Sequence, residues 1–232
     1  MRTGVAKRPL LKIFLDRAGQ SSTSRRASTP KICIGGNHMR LQPVTLSGEY
    51  VRLEPLSMTH HDDLVMAVQD GELWTLWYTT VPEPAGMSAE IERRLGLQEA
   101  GSMLPFAVID PRTNTAVGMT TFMNVDAIAR RVEIGSTWYR KAVQRTPLNT
   151  ECKLLLLTHA FESLDCIAVE FRTSSFNLQS RRAIERIGAK LDGVLRHHSQ
   201  HANGTFRDTY VYSIIAEEWP EIRSQLRCRP NR

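Results

Sequence analysis

The residues best suited to chemistry fall between Val132 and His198. Glu133 sits in Val132-Glu-Ile-Gly-Ser-Thr-Trp-Tyr139, Ser180 follows Asn177 by three residues, and His197 and His198 are adjacent. A carboxylate or a neutral imidazole takes a proton from an attacking group, and a hydroxyl hydrogen-bonds a departing one. Asp208 and Tyr210 extend the set of candidate bases. An imidazole titrates near neutrality, which suits it to deprotonating an amine. On a regular strand, neighbouring side chains face opposite ways, so only one of His197 and His198 points inward. Between these residues lies Gln144-Arg-Thr-Pro-Leu-Asn-Thr-Glu151, a short polar loop that opens an apolar-striped helix directly after a strand. Such a loop aims free backbone N–H groups at one spot, where the helix dipole favours an anion. A ligand with a pyrophosphate and an extended polar arm fits that geometry. Gln144, Arg145, Thr146, Leu148, Asn149 and Thr150 are its candidate contacts, with Arg145 as a phosphate fork. The same residues also read as a turn with Asn149 or Thr150 as N-cap and Glu151 in the first turn. Asn177 and Ser180 likewise read as an N-cap and its N3 residue.

Periodicity supplies the elements that must carry these groups. Alternation predicts two strand segments over 44–55, broken at Ser47-Gly48, and strands over 104–110, 115–123 and 131–139. Helices are predicted from Ser57 or Thr59 to Asp70, from a Ser88 cap through Ile91, Leu95 and Leu97, over 149–164, and over 177–187 with Gly188 as the stop. A strand over 167–173, a hairpin of 191–198 with 205–215, and a helix over 216–226 follow. The aromatic cluster Trp74, Trp77 and Tyr78 precedes the breaker Val81-Pro-Glu-Pro-Ala-Gly86, and serves as core or as a pocket wall. The class is α/β: a mixed sheet with helices on its faces.

The loop resembles the Gln/Arg-x-x-Gly-x-Gly/Ala pyrophosphate loop of the GNAT superfamily of acetyl-CoA-dependent N-acyltransferases, falling here on Gln144-x-x-Pro147-x-Asn149. The ribosomal-protein-alanine acetyltransferase-like branch has a second signature, Asn-x-x-Ser-x-x-Ala-Ile before Gly-Ala. It matches Asn177, Ser180, Ala183, Ile184, Gly188 and Ala189. Together with the element order, the resemblance extends from near Leu41 to Ile215. It implies a GNAT-like acyl-CoA N-acyltransferase fold, with a central, mostly antiparallel twisted sheet splayed at the cofactor and flanked by helices. It implies acetyl transfer from acetyl-CoA to a primary amine, a protein N-terminus or a small amine, by direct attack in a ternary complex. The implied roles follow residue by residue. The backbone of 133–138 offers an N–H to the thioester carbonyl, and the strand 167–173 forms the other wall. Trp138 and Tyr139 lie along the pantetheine arm, to which Asn177 hydrogen-bonds. Ser180 assists the departing thiolate, and Glu133, His197 or His198 acts as base. Arg181 and Arg182 are candidates for the 3′-phosphate. No metal is implied, and a homodimer is compatible. Pro147 departs from the family's Gly and has no N–H to donate. The phosphate cradle is therefore expected to be a variant one, and the alternative reading is a non-catalytic acyl-CoA-binding or sensing protein.

Charge separates the chain into two parts. Residues 1–38 hold eight Lys/Arg and one acid, net +7, which leaves 22 of the 30 basic and 23 of the 24 acidic residues to the remainder. The body is near neutral and lacks a nucleic-acid footprint. The expected organisation is a basic, disordered extension over 1–38 and a single domain over 39–232. The extension reads as a transit peptide, as a basic arm, or as sequence upstream of a start at Met39. No apolar run approaches the roughly 20 residues of a membrane span, so a cytoplasmic protein without membrane partners is expected. The four cysteines form no Cys-x-x-Cys pair and no regular spacing, which argues against a zinc site or disulfide framework. An acyl-cysteine route through Cys152 is disfavoured, because His159 on the same helix lies about 10 Å away along the axis.

Overall fold

The computed structural model describes residues 41–201 and 203–228; the basic extension over 1–38 lies outside them. Eight strands are β1 (Leu46–Ser47), β2 (Arg52–Pro55), β3 (Met103–Asp110), β4 (Thr115–Asp126), β5 (Arg131–Tyr139), β6 (Ala168–Ser174), β7 (Lys190–Gln200) and β8 (Phe206–Ile215). Five helices are α1 (His61–Gln69), α2 (Met87–Glu99), α3 (Pro147–Thr158), α4 (Leu178–Arg186) and α5 (Trp219–Cys228). The strands form one sheet in the order β1-β2-β3-β4-β5-β6-β8-β7. Every neighbouring pair is antiparallel except β5 and β6, the pair joined through α3. A parallel neighbour needs such a crossover.

Both faces of the central strands are covered, and β3 is buried along its whole length. Leu104, Phe106 and Val108 face a core shared with Leu148, Leu156 and Leu157 of α3 and with Trp219 and Ile222 of α5. Ala107 and Ile109 face a second core with Leu64 and Val68 of α1 and Ile91 of α2. Strand alternation thus splits one apolar run between two helix layers.

Helix starts differ from the sequence expectation at four places. α1 begins at His61, because Ser57 opens a 3₁₀ turn over Met58–His60 ahead of it, and α5 begins at Trp219 rather than at 216. Gly86, not Ser88, is the N-cap of α2, behind a 3₁₀ turn over Pro84–Gly86. α3 begins at Pro147, two residues before the expected start. Its N-cap is Thr146, whose Oγ1 accepts from Leu148 N at 3.4 Å, so neither Asn149 nor Thr150 caps it. A proline at N1 explains the shift: its φ suits the first helical turn and its missing N–H has no intrahelical use. The last turn expected of this helix, His159–Ser163, widens into a π turn. α4 starts at its Asn177 cap as expected, and Gly188 follows it at φ 100°, the left-handed conformation that ends helices.

Candidate active site

β5 and β6 pair only over Arg131–Ala168, Val132–Val169 and Glu133–Glu170. Beyond Glu133 the two strands part. The edge of β5 over 134–139 that faces β6 therefore carries N–H and C=O groups without a ladder partner, an arrangement that calls for a ligand or water. A bulge lies in the same stretch: Trp138 pairs with Met119 and Gly135 with Thr121, so β5 has one residue more than β4. Ser136 takes up the extra length at φ 47°, an uncommon conformation for a non-glycine residue.

The α3 N-terminus opens beside this gap. With Pro147 at N1, the donors of the first turn are the N–H groups of Thr146 and Asn149, and that of Leu148, which is shared with the long 3.4 Å cap bond to Thr146 Oγ1. Arg145 precedes them at φ 61°, and its guanidinium makes no hydrogen bond or ion pair among the described residues. Gln144 is half-buried and tied down at both ends of its amide: its Nε2 donates to the Tyr139 carbonyl at 2.9 Å, and its Oε1 accepts from Gln179 Nε2 of α4 at 3.3 Å. Glu151 accepts from Glu49 N at 2.9 Å and Tyr50 N at 2.6 Å, which ties the β1–β2 turn to α3. Tyr139 offers the gap only its backbone, because its buried hydroxyl donates to Cys152 Sγ at 3.2 Å. Burial pushes the Cys152 thiol pKa up, which keeps it protonated and unreactive. Trp138 is buried in the α1–α2 core, so it too presents backbone. Arg181 is spoken for: its Nε donates to Tyr212 Oη at 3.2 Å and its guanidinium lies 3.9 Å over the Tyr210 ring. Both contacts hold it along β8.

Glu133, the last residue of β5 that pairs with β6, is 5% exposed. Burial raises its carboxyl pKa above the ordinary value, opposed by Asn124 Nδ2, which donates to Oε2 at 2.7 Å, and by Arg172, whose Nε lies 3.5 Å from the same oxygen. Arg172 also lines a concavity of about 480 Å³ on that face, together with Arg131, Glu170, Asp192, Leu195 and Ser213. On the opposite wall, Asn177 Oδ1 accepts from Ser180 N at 3.0 Å, and the Ser180 hydroxyl has no partner among the described residues. The cap is thus made by the asparagine side chain, which leaves the serine oxygen free.

His197 and His198 lie on β7, the edge strand, separated from β6 by β8. Alternation fails between them, because Leu195 pairs with Thr209 and Ser199 with Arg207, placing two extra residues on β7. His197 sits at φ 49° and stacks on Phe206 with ring centroids 4.5 Å apart; His198 Nδ1 is 3.0 Å from Thr209 Oγ1. Neither contacts Glu133 or Ser180. His201, which sequence reasoning missed, packs instead with Trp77 and Phe176 at ring separations of 5.2 and 6.1 Å, and its Nε2 lies 3.3 Å from Ser174 Oγ. Trp77 and Phe176, 5.0 Å apart, are exposed, so this cluster at the C-terminal end of β6 is not core, whereas Trp74 packs against the α1–α2 core. No local pattern announces it, since its members come from three segments. Lys153 places a charged residue type on the buried face of α3.

The acetyltransferase (GNAT) domain family matches residues 51–190. YdaF of Bacillus subtilis (strain 168), described provisionally as a ribosomal N-acetyltransferase, is 33% identical over 102 residues, 44% of this chain and 55% of YdaF. The chain thus spans about half the length of that curated relative. A GCN5-related N-acetyltransferase from Brucella melitensis superposes with a TM-score of 0.73 at 30% identity, covering 81% of this chain and 86% of the other. RimJ of Mycobacterium smegmatis, solved in complex with CoA-disulfide, does so with a TM-score of 0.67 at 20% identity over 79% and 93% of the two chains, a likeness of fold alone.

Proposed function

The chain belongs to the acetyltransferase (GNAT) family, and from that premise we propose that it transfers an acetyl group from acetyl-CoA to a primary amine by direct attack in a ternary complex. The observation that carries the reading is the fork where β5 leaves β6. One wall is an unpaired strand edge with the α3 N-terminus at its end, the other bears a free serine hydroxyl, and a buried carboxylate stands at the vertex. Acetyl-CoA supplies an activated acyl thioester there. The N–H groups of Thr146, Leu148 and Asn149, with Arg145, suit the pyrophosphate. The β5 edge hydrogen-bonds the pantetheine arm and the thioester oxygen, as an oxyanion site does. Glu133 takes the proton lost by the amine, and burial brings its pKa closer to the working pH. Ser180 donates to the sulfur as its bond to carbon breaks. Pro147 sits at N1, so its departure from Gly does not favour the alternative, a non-catalytic acyl-CoA-binding or sensing protein.

The naming of YdaF makes a protein N-terminus the first acceptor to test, with small amines second. Mass measurement of the native protein is expected to find bound CoA. Acetyl-CoA with N-terminal peptides of ribosomal proteins and a panel of small amines is expected to release free thiol and yield an acetylated product. No thermal shift with millimolar acetyl-CoA and no thiol release would overturn the proposal; binding without turnover would establish the sensing alternative.

A further inference from the structure

Two buried cations reach the β5 bulge from opposite faces of the sheet. Arg94, on α2, is 2% exposed: its Nη2 donates to the Ser136 carbonyl at 3.1 Å, its Nη1 to Thr121 Oγ1 at 2.8 Å, and its Nε to Glu90 Oε1 at 2.7 Å. Lys153, on α3, is 8% exposed, and its Nζ donates to Thr137 Oγ1 at 3.1 Å, which lies 2.8 Å from Thr120 Oγ1. Thr120 and Thr121 are strand neighbours and face opposite ways. The two cations therefore close on Ser136 and Thr137 from both sides of the sheet.

Their surroundings differ. Arg94 has the Glu90 carboxylate. Lys153 has no carboxylate partner among the described residues, and its helix neighbours Cys152, Leu156 and Leu157 are buried and apolar. A buried amine without a counter-charge costs stability, and burial accordingly pushes the Lys153 pKa down. A methionine of similar length would fill the slot without that cost. The single bond this amine makes ends on the residue next to the strained Ser136. Strain and unfavourable burial concentrated at one spot mark a place where geometry serves function.

We propose that Lys153 and Arg94 are positioning residues for acetyl transfer, clamping the bulge at Ser136–Thr137 so that the open N–H groups of β5 stay aimed at the oxygen that gains charge. This rests on the N-acetyltransferase reading above. Neither side chain touches a reacting atom; Lys153 acts through the Thr137 hydroxyl and Arg94 through the Ser136 carbonyl.

The test uses the full-length protein with Lys153→Met, Thr137→Val and Thr137→Ser. Arg94→Met alone would strip Glu90 of its buried partner, so Arg94 is probed as Glu90→Gln/Arg94→Met. For each variant, kcat, KM, acetyl-CoA affinity by calorimetry, melting temperature and amide exchange at 136–138 are measured. Displacement of a reacting geometry by an ångström costs up to about 10²-fold, so Lys153→Met and Thr137→Val are expected to lose roughly 10–100-fold in kcat. Acetyl-CoA affinity should stay near wild type, exchange at 136–138 should quicken, and Thr137→Ser should restore turnover. Lys153→Met should melt no lower than wild type, a gain in stability with a loss of rate that a merely structural lysine would not produce. Wild-type kcat in Lys153→Met, or a parallel fall of melting temperature, affinity and kcat, overturns the positioning role. A wild-type protein that binds acetyl-CoA but acetylates no amine overturns the underlying reading, and the role with it.

Discussion

Replacing Glu133 by Gln separates the carboxylate's charge from its shape. Gln keeps an Oε1 that accepts from Asn124 Nδ2, now 2.7 Å from Oε2, and Arg172 keeps its bond to Glu170 at 2.9 Å. What disappears is a proton acceptor and a buried charge. Loss of a positioned general base costs about 10²–10⁴-fold in rate, and this loss should appear in kcat with acetyl-CoA affinity unchanged. Stability should move the other way. Burial raises the folded-state pKa of Glu133 above the ordinary 4.5, so the folded protein holds this proton more tightly than the unfolded chain. The stabilising contribution is complete below the unfolded value and is lost as pH rises through the folded one. Its size is about 1.4 kcal/mol for each pH unit between the folded and unfolded pKa values. At neutral pH the Gln variant, which cannot ionise, should therefore melt above wild type, and the difference should vanish toward pH 4. The assay is a pH profile of kcat/KM beside melting curves on the same preparations. The wild-type profile should fall on the acid side at a pH above 4.5, and that limb should be absent from the residual activity of the variant. Wild-type turnover in Glu133→Gln, with the acid limb intact, would refute the assignment and return attention to other bases.

Ser180→Ala should lower kcat by up to about 10²-fold while leaving the melting temperature almost unchanged, because the cap bond is made by Asn177 Oδ1 and the Ser180 N–H. Asn177→Ala removes that cap and should cost about 0.5–2 kcal/mol, read as a lower melting temperature; the reverse pattern in this pair would assign the serine oxygen to the helix. Pro147→Gly should cost about 0.4–1 kcal/mol through added freedom of the unfolded chain, with CoA affinity by calorimetry little changed, since Thr146, Leu148 and Asn149 already supply donors; a tenfold gain in affinity would show that the proline leaves the cradle incomplete. Cys152→Ala should keep its turnover, because a fully buried thiol with a raised pKa is no nucleophile; abolished activity in a folded variant would reopen the acyl-cysteine route.

Local chemistry made much of the frame around the candidate site readable. The Asn177 cap with Ser180 at N3, the stop at Gly188, and the anion-receptive loop before α3 all depend on residues within one or two helical turns of each other. Where the reading slipped, a neighbouring residue outcompeted the obvious one: Pro147 at N1 handed the cap to Thr146, and Gly86 displaced Ser88. The histidines show the limit of periodicity. Alternation assigns opposite faces to His197 and His198, but the bulge of β7 is set by its pairing with β8, about ten residues further along the chain.

From the sequence alone came the element order, the mixed sheet with its helix layers, the loop that opens α3 and the family signature, all carried by periodicity and capping that act over short spans. The tertiary structure alone decided which groups share a place. It parted β5 from β6 at Glu133, buried that carboxylate, freed the Ser180 hydroxyl, and drew Trp77, Phe176 and His201 into one cluster. It also brought Arg94 and Lys153, 59 positions apart in the sequence, to adjacent residues of one bulge. Register, burial and the desolvation that shifts a pKa are properties of packing between distant segments, and no window of sequence contains both partners.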